Sequence, residues 1–520
     1  MTKTTRRNFL KGTAAAGTIA AFGGQAPFFK KALGQGKKSV VWGQTEPFTS
    51  SWDPSSHTIL AQIYFDYDVF GQLIRTPMSQ AQPDEIVYEM ATSQNVVEDG
   101  WLEYSLRKDI KFHRGQPFTA HDVKATFEYA SNPERPSGTW YPGQAEVQVV
   151  DDYTCRVRGE GGSYPGSLFW FLAGFLPILS KDDIDTKAID EFPNGAGSYK
   201  FISRDGPTTI LNANPDYILG TPEIEEVVYQ FVPDASTRLV SLISGELDII
   251  ERVEPEQYET LLEENVTTSR TVSTENKYLH FRCYEPPFDD VRLRHAAAHA
   301  IDRDLILELM GPAGHPTVGQ LSSVKFGYTD SIPNSPEYNP ERCQELLAEA
   351  GYPGGDGLPQ IEYLTSQGFY PKTKEYGEVI TALLQEQGFP VQLTVMEVAS
   401  WIERVLTRDE TAPQLADTGW MTGSPEPNLV LRPMWHSDGL ILTNCGSDTV
   451  DAAIEKQQTI TDVDARRASI QNELMPALAE HLPSFGLFTS VLIHAHHPAI
   501  EGIYFLPNGP VDKVNATLKS

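Results

Sequence analysis

Histidines occur at two spacings that could bind a metal ion. His494 and His496 would lie on one face of a strand, and His295 and His299 are one helical turn apart. Neither pair belongs to a His-Glu-x-x-His helix, and no two cysteines have the spacing of a zinc site. Histidines of this kind are more often packed in a polar core or exposed, so we expect no bound metal.

Motifs of covalent or cofactor chemistry are also missing from the sequence. It contains no Gly-x-Ser-x-Gly, no phosphate-binding Gly-x-x-x-x-Gly-Lys and no Gly-x-Gly-x-x-Gly run. The many carboxylates could supply a glycosidase pair, but no two of them are singled out by their spacing. We therefore expect no catalytic residue, no cofactor and no enzymatic activity, and a secreted hydrolase is the rival class.

The N-terminal segment indicates export. Arg6 and Arg7 precede a modest apolar run over 12–24, which is typical of a twin-arginine signal. The run is shorter than the ~20 residues that span a bilayer. Small residues before Gly34 predict cleavage after it, so 1–34 is interpreted as the signal peptide. We expect a periplasmic protein that the twin-arginine export machinery carries across the inner membrane in folded form.

The composition suits several packed domains and excludes polyanionic partners. Without the signal, the chain is longer than one core usually organises, so we expect two or three domains. The formal net charge of −29 argues against nucleic acid and against an anionic membrane surface as partners. The four cysteines, at 155, 283, 343 and 445, allow three pairings, and their spacing does not resemble a disulfide framework. Because no cysteine precedes Cys155, a lipid-anchored N-terminus is not expected.

Alternating strand and helix patterns predict mixed α/β lobes. Residues 101–107 alternate in polarity and are predicted as a strand, and Thr119 is predicted as the N-cap of a helix. A second helix is predicted over 235–244, ended by Gly245, and a single long amphipathic helix over 291–310. The other predicted elements are a hairpin over 198–211, strands over 227–232 and 391–395, and helices over 339–351 and 376–387.

Several short motifs follow one another in a fixed order. Residues 104–123 contain Leu-Arg, then Arg-Gly-Gln-Pro-Phe and Thr-Ala-His-Asp-Val, and 242–248 reads Leu-Ile-Ser-Gly-Glu-Leu-Asp. Residues 197–217 contain Gly-Ser-Tyr and Asn-Pro-Asp-Tyr, and 287–303 contain Pro-Phe-Asp-Asp-Val-Arg and Ala-Ile-Asp-Arg. Together they resemble the family 5 extracellular solute-binding proteins, the dipeptide, oligopeptide and nickel receptors of ABC importers. The motifs themselves consist of turns and caps, so we expect most of them to define the fold rather than touch a ligand.

The resemblance implies an α/β, two-lobed periplasmic binding protein of type II, a Venus-flytrap with an extra inserted domain. It implies a discontinuous lobe I built from 37–58, 190–278 and 485–520, an inserted smaller domain over 59–189, and lobe II over 279–484. The lobes would close on a small-molecule ligand and present it to an ABC permease in the inner membrane. We expect a monomer.

The segment 419–427, Gly-Trp-Met-Thr-Gly-Ser-Pro-Glu-Pro, resembles the run that lines the ligand cleft in this family. In peptide-binding members, the resemblance implies an aspartate that pairs with the α-ammonium of the peptide, and here that position is Gly423. Glu426 matches a second acidic position. Trp420 would supply a flat wall and Ser424 a small polar contact, for a peptide side chain or a sugar ring. The departure at Gly423 favours an oligosaccharide or another non-peptide solute over an ordinary di- or tripeptide.

Other candidate ligand-binding residues rest on less specific patterns. Trp401 and Trp140 could form aromatic walls, although each is more typical of a core tryptophan. His57 lies in a loop that reaches the cleft in some members of the family. His436 loosely matches the cleft histidine of nickel receptors, so a metal-chelate receptor is the alternative. A peptide ligand predicts another carboxylate in the cleft, a sugar predicts amides around aromatic rings, and a chelate predicts converging histidine and arginine.

Overall fold

The protein is described from a computed structural model. The residues that it describes are 38–48, 51–57, 60–75, 86–139, 144–162, 174–407, 411–439 and 445–519. The predicted signal peptide and Trp140 therefore lie outside the described residues. Across these ranges, none of the helices combines the length and the apolar character that crossing a bilayer requires.

The strands form one large mixed sheet, one small antiparallel sheet and short two-stranded pairs. In chain order they are β1 Ser39–Gln44, β2 Ile74–Arg75, β3 Val87–Tyr88, β4 Ala91–Val96, β5 Leu102–Leu106, β6 Ala145–Asp151, β7 Thr154–Gly159, β8 Tyr199–Asp205, β9 Thr208–Ala213, β10 Glu226–Phe231, β11 Ile249–Ile250, β12 Thr267–Phe281, β13 Gly314–His315, β14 Ile361–Gln367, β15 Val391–Glu397, β16 Leu415–Trp420, β17 Ser484–His496, β18 Ile500–Glu501, β19 Tyr504–Phe505, β20 Val511–Asp512 and β21 Thr517–Leu518.

The helices pack on both halves of the large sheet and on the small one. In chain order they are α1 Leu60–Val69, α2 Ala120–Ala130, α3 Lys181–Thr186, α4 Ala235–Ser244, α5 Tyr258–Glu263, α6 Val291–Ala300, α7 Arg303–Met310, α8 Pro340–Glu349, α9 Thr373–Glu386, α10 Val398–Val405, α11 Asn428–Trp435, α12 Asp448–Thr459, α13 Val463–Ser469 and α14 Met475–His481. A π-helical turn over Ile470–Leu474 joins the last two.

Two long antiparallel strands, β12 and β17, connect the two halves of the large sheet. Its order is β15-β14-β16-β12-β17-β11-β1-β10-β9-β8, with β13 also paired to β17. Because β12 pairs with β16 on one side and β17 pairs with β11 on the other, these strands belong to both lobes. The ladder between them is interrupted between Val272 and Asn276, an irregularity of the kind that redirects side chains. Glu275 lies in this stretch and Lys277 follows it.

Each sheet region buries its own apolar side chains. Trp42 of β1 and Tyr229 of β10 are buried in one core. Tyr363 of β14 and Leu384 of α9 are buried in another. The small sheet, in the order β4-β5-β7-β6, packs against α2 around Phe127. The result is the predicted two-lobed α/β architecture with an additional small sheet.

Local signals in the sequence predicted several elements correctly. The strand over 101–107 is β5, and α2 begins after Thr119, whose side chain forms a capping box with Asp122. Helix α4 ends at Gly245, which has a φ of 76°, a conformation that favours glycine. The predicted hairpin consists of β8 and β9.

The single helix predicted over 291–310 was wrong. The chain instead forms α6 and α7, separated at Ile301 and Asp302. The Asp302 carboxylate accepts a hydrogen bond from the Asp304 backbone at 2.9 Å and so caps α7. A short acidic side chain competes for backbone donors at a helix start, which is why the apolar periodicity did not continue through this position.

Two of the four cysteines form a disulfide. Cys283 and Cys445 are 162 residues apart in the chain, with an S–S distance of 2.08 Å. The prediction that the cysteine spacing is incidental was therefore wrong for this pair, because distance along the chain says little about distance in space. Cys155 and Cys343 are buried thiols, and burial raises the pKa of each to about 12.

Candidate ligand-binding cleft

A cavity of about 1390 Å³ lies between the two halves of the large sheet. We call it the cleft. Its lining comes from residues that follow β1 and β11, from β12, β16 and β17, from helices α4, α10 and α11, and from loops between them. This volume exceeds that of most sites for small ligands, which suits a solute larger than one amino acid. Lining residues that the following paragraphs use are Glu46, Phe175, Arg252, Glu275, Lys277, Phe369, Tyr370, Trp401, Gly419, Trp420, Gly423 and Asn508.

One wall of the cleft is the segment 420–426, which we call the loop wall. Its backbone is held by side chains from distant parts of the chain: Thr274 Oγ1 donates to the Thr422 carbonyl at 2.8 Å, and Asn508 Nδ2 donates to the Gly423 carbonyl at 2.8 Å. Lys325 Nζ donates to the Thr422 hydroxyl, and burial lowers the pKa of this lysine to about 7. The loop wall is thus a rigid surface at the lobe boundary.

A buried ion pair supports the loop wall from behind. Arg466 donates two hydrogen bonds, of 2.6 and 2.9 Å, to the Glu426 carboxylate, and both side chains are nearly inaccessible to solvent. Glu426 also accepts from the Asn428 backbone at 2.9 Å, and Gln457 accepts from Arg466. These bonds use the fork of the guanidinium and both carboxylate oxygens, which is the condition for a stable buried pair.

The position expected to carry an anchoring aspartate is filled by an aromatic ring. A Cβ atom built on Gly423 would overlap the ring of Phe175. Phe175 comes from the region between the small sheet and α3, far from Gly423 in sequence. The glycine is therefore matched to a ring from a distant segment of the chain, and a carboxylate at this position would overlap that ring.

A second wall of the cleft is an aromatic cluster that carries a buried lysine. We call Glu275, Lys277, Phe369, Tyr370 and Trp401 the Tyr370 wall. The rings of Phe369 and Tyr370 have centroids 4.4 Å apart, and the Tyr370 and Trp401 rings meet edge to face at 6.3 Å. The Tyr370 hydroxyl donates to the Gly419 carbonyl at 2.9 Å, which fixes the ring against β16.

Lys277 lies over the face of this ring. Its Nζ is 2.8 Å from the Tyr370 centroid and 3.0 Å from Glu275 Oε1. Burial lowers the pKa of the Lys277 ammonium to about 8, although Glu275 acts in the opposite direction. Gly419 faces the pair across the ladder, and a Cβ there would overlap Nζ, so the glycine makes room for the ammonium.

Arg252 enters the cleft from lobe I in an unusual backbone conformation. Its φ is 47°, in the left-handed region that non-glycine residues rarely adopt. The buried Arg238 donates to the Arg252 carbonyl at 3.5 Å and to the Val232 carbonyl at 2.8 Å, and so holds this turn. Arg252 Nη1 pairs with Glu46 at 3.0 Å, and about half of the arginine side chain is exposed.

Comparison of the sequence with known protein families identifies the family of this chain. The family described as bacterial extracellular solute-binding proteins, family 5 Middle, matches residues 85–440, which is more than half of the chain. This chain belongs to that family. It is the substrate-binding component of an ABC importer and not an enzyme, as the sequence predicted. Members of the family are extracellular or periplasmic.

Individual relatives differ in what they bind. This family 5 protein is 26% identical over 467 residues to heme-binding protein A of Haemophilus influenzae, with 81% of this chain and 82% of that protein covered. Among solved structures, it resembles HbpA2 from Haemophilus parasuis, with a TM-score of 0.78, 22% identity, and 93% and 100% of the chains covered. It also resembles MoaA of A. tumefacien R10 in complex with mannopinic acid, with a TM-score of 0.72, 23% identity, and 93% and 100% covered. At these identities the two structures confirm the fold.

Three of the residues predicted for the ligand site of this family 5 protein line the cleft: Trp420, Gly423 and Trp401. Trp401 is also packed as a core residue, with 4% of its surface exposed. Ser424 is fully buried, and its hydroxyl accepts from the Glu426 backbone at 3.1 Å, so it supports the loop wall from within. Trp140 lies outside the described residues.

The predicted histidines are not among the residues that line the cleft, but both adjoin it. His57 lines a small cavity of about 40 Å³ that shares Phe175 and Asn508 with the cleft, and its Nδ1 is 2.7 Å from Asp66. Burial acts to lower the pKa of His57, but the Asp66 carboxylate outweighs it, so the pKa is raised. His436 is buried against Asp438 and Glu455. Neither His57 nor His436 lines the cleft itself, although each lies beside residues that do.

The remaining histidines show no metal-binding cluster. His494 stacks on Phe505 at 4.3 Å, and burial lowers the pKa of His494 to about 3. His295 and His299 each contact a backbone carbonyl. Within the described ranges, no group of three or more histidine, cysteine or acidic side chains is placed to hold a metal ion.

Sequence reasoning missed the charged half of the cleft. Glu275 and Lys277 are two residues apart in a strand whose last nine residues are all buried, and charged residues in such a strand are a signal for a site. Arg252 carries no such signal, because its left-handed backbone is visible only in three dimensions. Phe175 was missed for the same reason, since its pairing with Gly423 depends on how two domains pack.

Proposed function

We propose that this family 5 protein is a periplasmic receptor for a non-peptide solute, which it captures between its lobes and delivers to an ABC permease. The observation that carries the proposal is the ring of Phe175 beside Gly423. A peptide with an unblocked amino terminus would place its α-ammonium at this ring, where there is no carboxylate to pair with it. A buried cation without a partner is costly, so such a peptide would bind poorly.

The character of the cleft supports a polar, partly flat solute. Trp420 and Phe369 offer aromatic faces, and the amide side chains of Gln367, Asn428 and Asn508 lie around the same cavity. Aromatic platforms with amides around them are what a sugar or polyol would need. The relative named for heme and the neighbour solved with mannopinic acid support the capacity of this fold for non-peptide ligands.

The two other ligand classes have less support. A peptide predicts a substitute carboxylate, and Glu46 and Glu275 do lie in the cleft, but they are paired with Arg252 and Lys277. A metal chelate predicts converging histidine and arginine, and His436 and Arg432 do meet at the cleft-lining Asp438. Both nitrogens of His436 are engaged by Asp438 and Glu455, however, so this histidine offers no nitrogen to a chelate.

The compartment and the domain limits belong to the same proposal. We retain 1–34 as a twin-arginine signal peptide that directs the chain to the periplasm. We also retain lobe I as 37–58, 190–278 and 485–520, the inserted domain as 59–189, and lobe II as 279–484. The disposition of β12 and β17 across both halves of the sheet supports crossings near residues 278 and 485.

Native mass spectrometry of protein purified from the periplasm tests the function. We expect an intact non-peptide solute to co-purify, and its return to the stripped protein should reduce the radius of gyration in small-angle scattering. The dipeptide Met-Leu should bind no better than N-acetyl-Met-Leu in calorimetry, because no carboxylate at the loop wall is placed to pair with the free amino terminus. Recovery of a free-amine peptide, or a clear preference for unblocked Met-Leu, would contradict the proposal.

A further inference from the structure

The small cavity beside His57 is lined by buried hydrogen-bond acceptors that lack donors. We call this cavity of about 40 Å³ the side chamber. Among the residues that the structure describes, no donor reaches Asp66 Oδ1, Gln72 Oε1 or Asn508 Oδ1, and each of these side chains has 7% or less of its surface exposed. A buried acceptor without a donor bears the full cost of its lost hydration, so native proteins seldom leave three around one cavity. The side chamber therefore requires an occupant that donates hydrogen bonds.

A shared partition separates the side chamber from the cleft. Ile63, Phe175 and Asn508 line both cavities. The ring of Phe175 is partly exposed, and rotation of a partly exposed side chain is fast. Every described residue that lines the side chamber lies outside 279–484, the proposed lobe II, so the chamber is complete on one lobe. A solute in the cleft thus has a route into the chamber past Phe175, whether the lobes are open or closed.

We infer that the side chamber is a subsite for the hydroxyl-bearing end of a polyol solute. The inference rests on the proposed function, because a solute must occupy the cleft before one end of it can pass Phe175. In the complex, hydroxyls on the last two carbons would donate to Asp66 and Gln72. A hydroxyl at the partition would donate to Asn508, and the rest of the solute would lie in the cleft.

The size and the walls of the side chamber suit the end of a carbon chain. A buried water needs ~10–15 Å³ of such a cavity, so this one admits roughly three water-sized groups. Three waters would require two to four polar partners each, and most of the lining is apolar. The apolar side chains of the lining include Pro54, Ile63, Leu176, Pro177, Leu179 and Pro510. Carbon-borne hydroxyls satisfy both the apolar walls and the acceptors, which neither a water cluster nor a bare inorganic ion does.

The charges around the side chamber favour a neutral donor. Asp66 pairs with His57 at 2.7 Å, and Asp53 pairs with Arg135 at 2.9 Å. Burial acts to lower the pKa of His57, but Asp66 outweighs it and raises the pKa, which favours the cationic imidazole as a partner. Both carboxylates therefore already have a partner, and a solute ammonium would be buried without one of its own. A hydroxyl supplies the missing hydrogen bond and adds no charge.

Thermal unfolding with matched polyols tests the subsite. The probes are D-mannitol, whose two ends are identical, 1,6-dideoxy-D-mannitol, which lacks both terminal hydroxyls, and 1,6-diamino-1,6-dideoxy-D-mannitol, whose ends are cationic. At about 10 mM, D-mannitol should raise the unfolding midpoint by about 2 °C or more, and the other two probes should not. This concentration is far below that at which excluded polyols stabilise proteins in general.

Three variants make the test specific. Gln72→Met replaces one acceptor by an apolar group, so it should raise the midpoint of the unliganded protein by about 1 °C or more and weaken D-mannitol about fivefold in calorimetry. Ala130→Leu fills the chamber with carbon and should abolish the effect of D-mannitol even if Gln72→Met fails to fold. Gln94→Met changes a buried glutamine of β4 that is not among the lining residues of either cavity, and it should leave the affinity unchanged.

Several results would overturn the inference. These are equal stabilisation by D-mannitol and its dideoxy analogue, no stabilisation by D-mannitol, a lower midpoint for unliganded Gln72→Met, or wild-type affinity in Gln72→Met or Ala130→Leu. Failure of the subsite and failure of the receptor can be told apart. A solute that co-purifies equally with the wild type and with Ala130→Leu would keep the receptor and remove the subsite. If no solute co-purifies and none of the probes binds, the proposed function falls together with the subsite.

Discussion

The two walls of the cleft both contain a buried ion pair, but the pairs differ in how completely their hydrogen bonds are made. Behind the loop wall, Arg466 and Glu426 share two aligned bonds, and neighbouring groups use the remaining atoms. On the Tyr370 wall, Lys277 and Glu275 touch at one point, without hydrogen-bond alignment. The first pair is complete within the protein, and the second is not.

This difference separates structure from function in one cleft. A satisfied pair holds a surface in place, and removing one partner leaves a buried charge that destabilises the fold. An unsatisfied pair costs stability in the unliganded protein, and a ligand can relieve that cost. We therefore expect changes behind the loop wall to affect folding, and changes on the Tyr370 wall to affect binding.

The largest effect is expected at Arg466. Arg466→Met would leave the Glu426 carboxylate buried without its charged partner. We therefore expect the free energy of unfolding to fall by about 3–5 kcal/mol in urea titrations. The neighbouring Arg467 lies over Phe326 at 4.5 Å, so Arg467→Met should cost less than about 1 kcal/mol. Similar losses for the two variants would show that the satisfied pair has no special role.

Lys277→Met should change stability in the opposite direction. Burial lowers the pKa of Lys277 from 10.5 to about 8, so between these pH values the unfolded chain binds more protons than the folded one. Stability of the wild type should therefore rise with pH from 8 toward 10, and below pH 8 the buried charge lowers it. At pH 7, Lys277→Met should be more stable by as much as about 3 kcal/mol.

Urea unfolding at pH 7 and near pH 9.5 measures this linkage. The pH-dependent rise should disappear in Lys277→Met and persist in Lys456→Met, whose lysine is exposed. A less stable Lys277→Met at pH 7 would mean that Glu275 already compensates the buried ammonium.

A paired substitution should convert the loop wall to amine binding. In the double variant Gly423→Asp with Phe175→Ala, the alanine leaves free the space that the Phe175 ring now fills, and the new carboxylate at 423 can occupy it. We expect calorimetry to show at least about a tenfold gain in affinity for Met-Leu, since a hydrogen bond to a charged group contributes about 1.5–3 kcal/mol. N-acetyl-Met-Leu, which lacks the ammonium, should gain nothing.

Gly423→Asp alone serves as the control for that experiment. With Phe175 in place, the new side chain has no room, so this variant should lose stability and gain no affinity. If the single variant binds Met-Leu as well as the double variant does, the ring of Phe175 is not what excludes the amine.

The smallest effect is expected at Gly419. A Cβ in Gly419→Ala would meet Lys277 Nζ and Cδ and Glu275 Oε1, which belong to two flexible side chains that can move. Urea titrations should therefore show a change in stability of less than about 1 kcal/mol. A loss of more than about 2 kcal/mol would show that this ion pair cannot shift.

Local chemistry made much of the fold predictable. The cap at Thr119, the left-handed stop at Gly245 and the alternation in β5 each depend on a few adjacent residues, and each was predicted correctly. The helix over 291–310 failed because apolar periodicity was given more weight than one acidic residue, Asp302, whose carboxylate caps a new helix. Motif order supplied the family, which no single element could indicate.

The site was predictable only in its outline. The glycine at 423 was visible in the sequence, and its place on the cleft wall agrees with the segment that the resemblance singled out. Its partner, Phe175, could not be predicted, because the contact depends on how two distant segments of the chain pack together. The same holds for Cys283 and Cys445, which are 162 residues apart in the chain and meet only in the folded structure.

By itself the sequence determined most of the strands and helices, the family, and the glycine at 423, because these depend on residue type and near neighbours. Only the tertiary structure decided which groups meet at the cleft: a ring where an aspartate was expected, a buried ammonium on a tyrosine face, and an arginine in a left-handed turn. The physical reason is that burial and hydrogen-bond satisfaction are set by residues distant in the chain, and these two properties distinguish a supporting charge from a binding one.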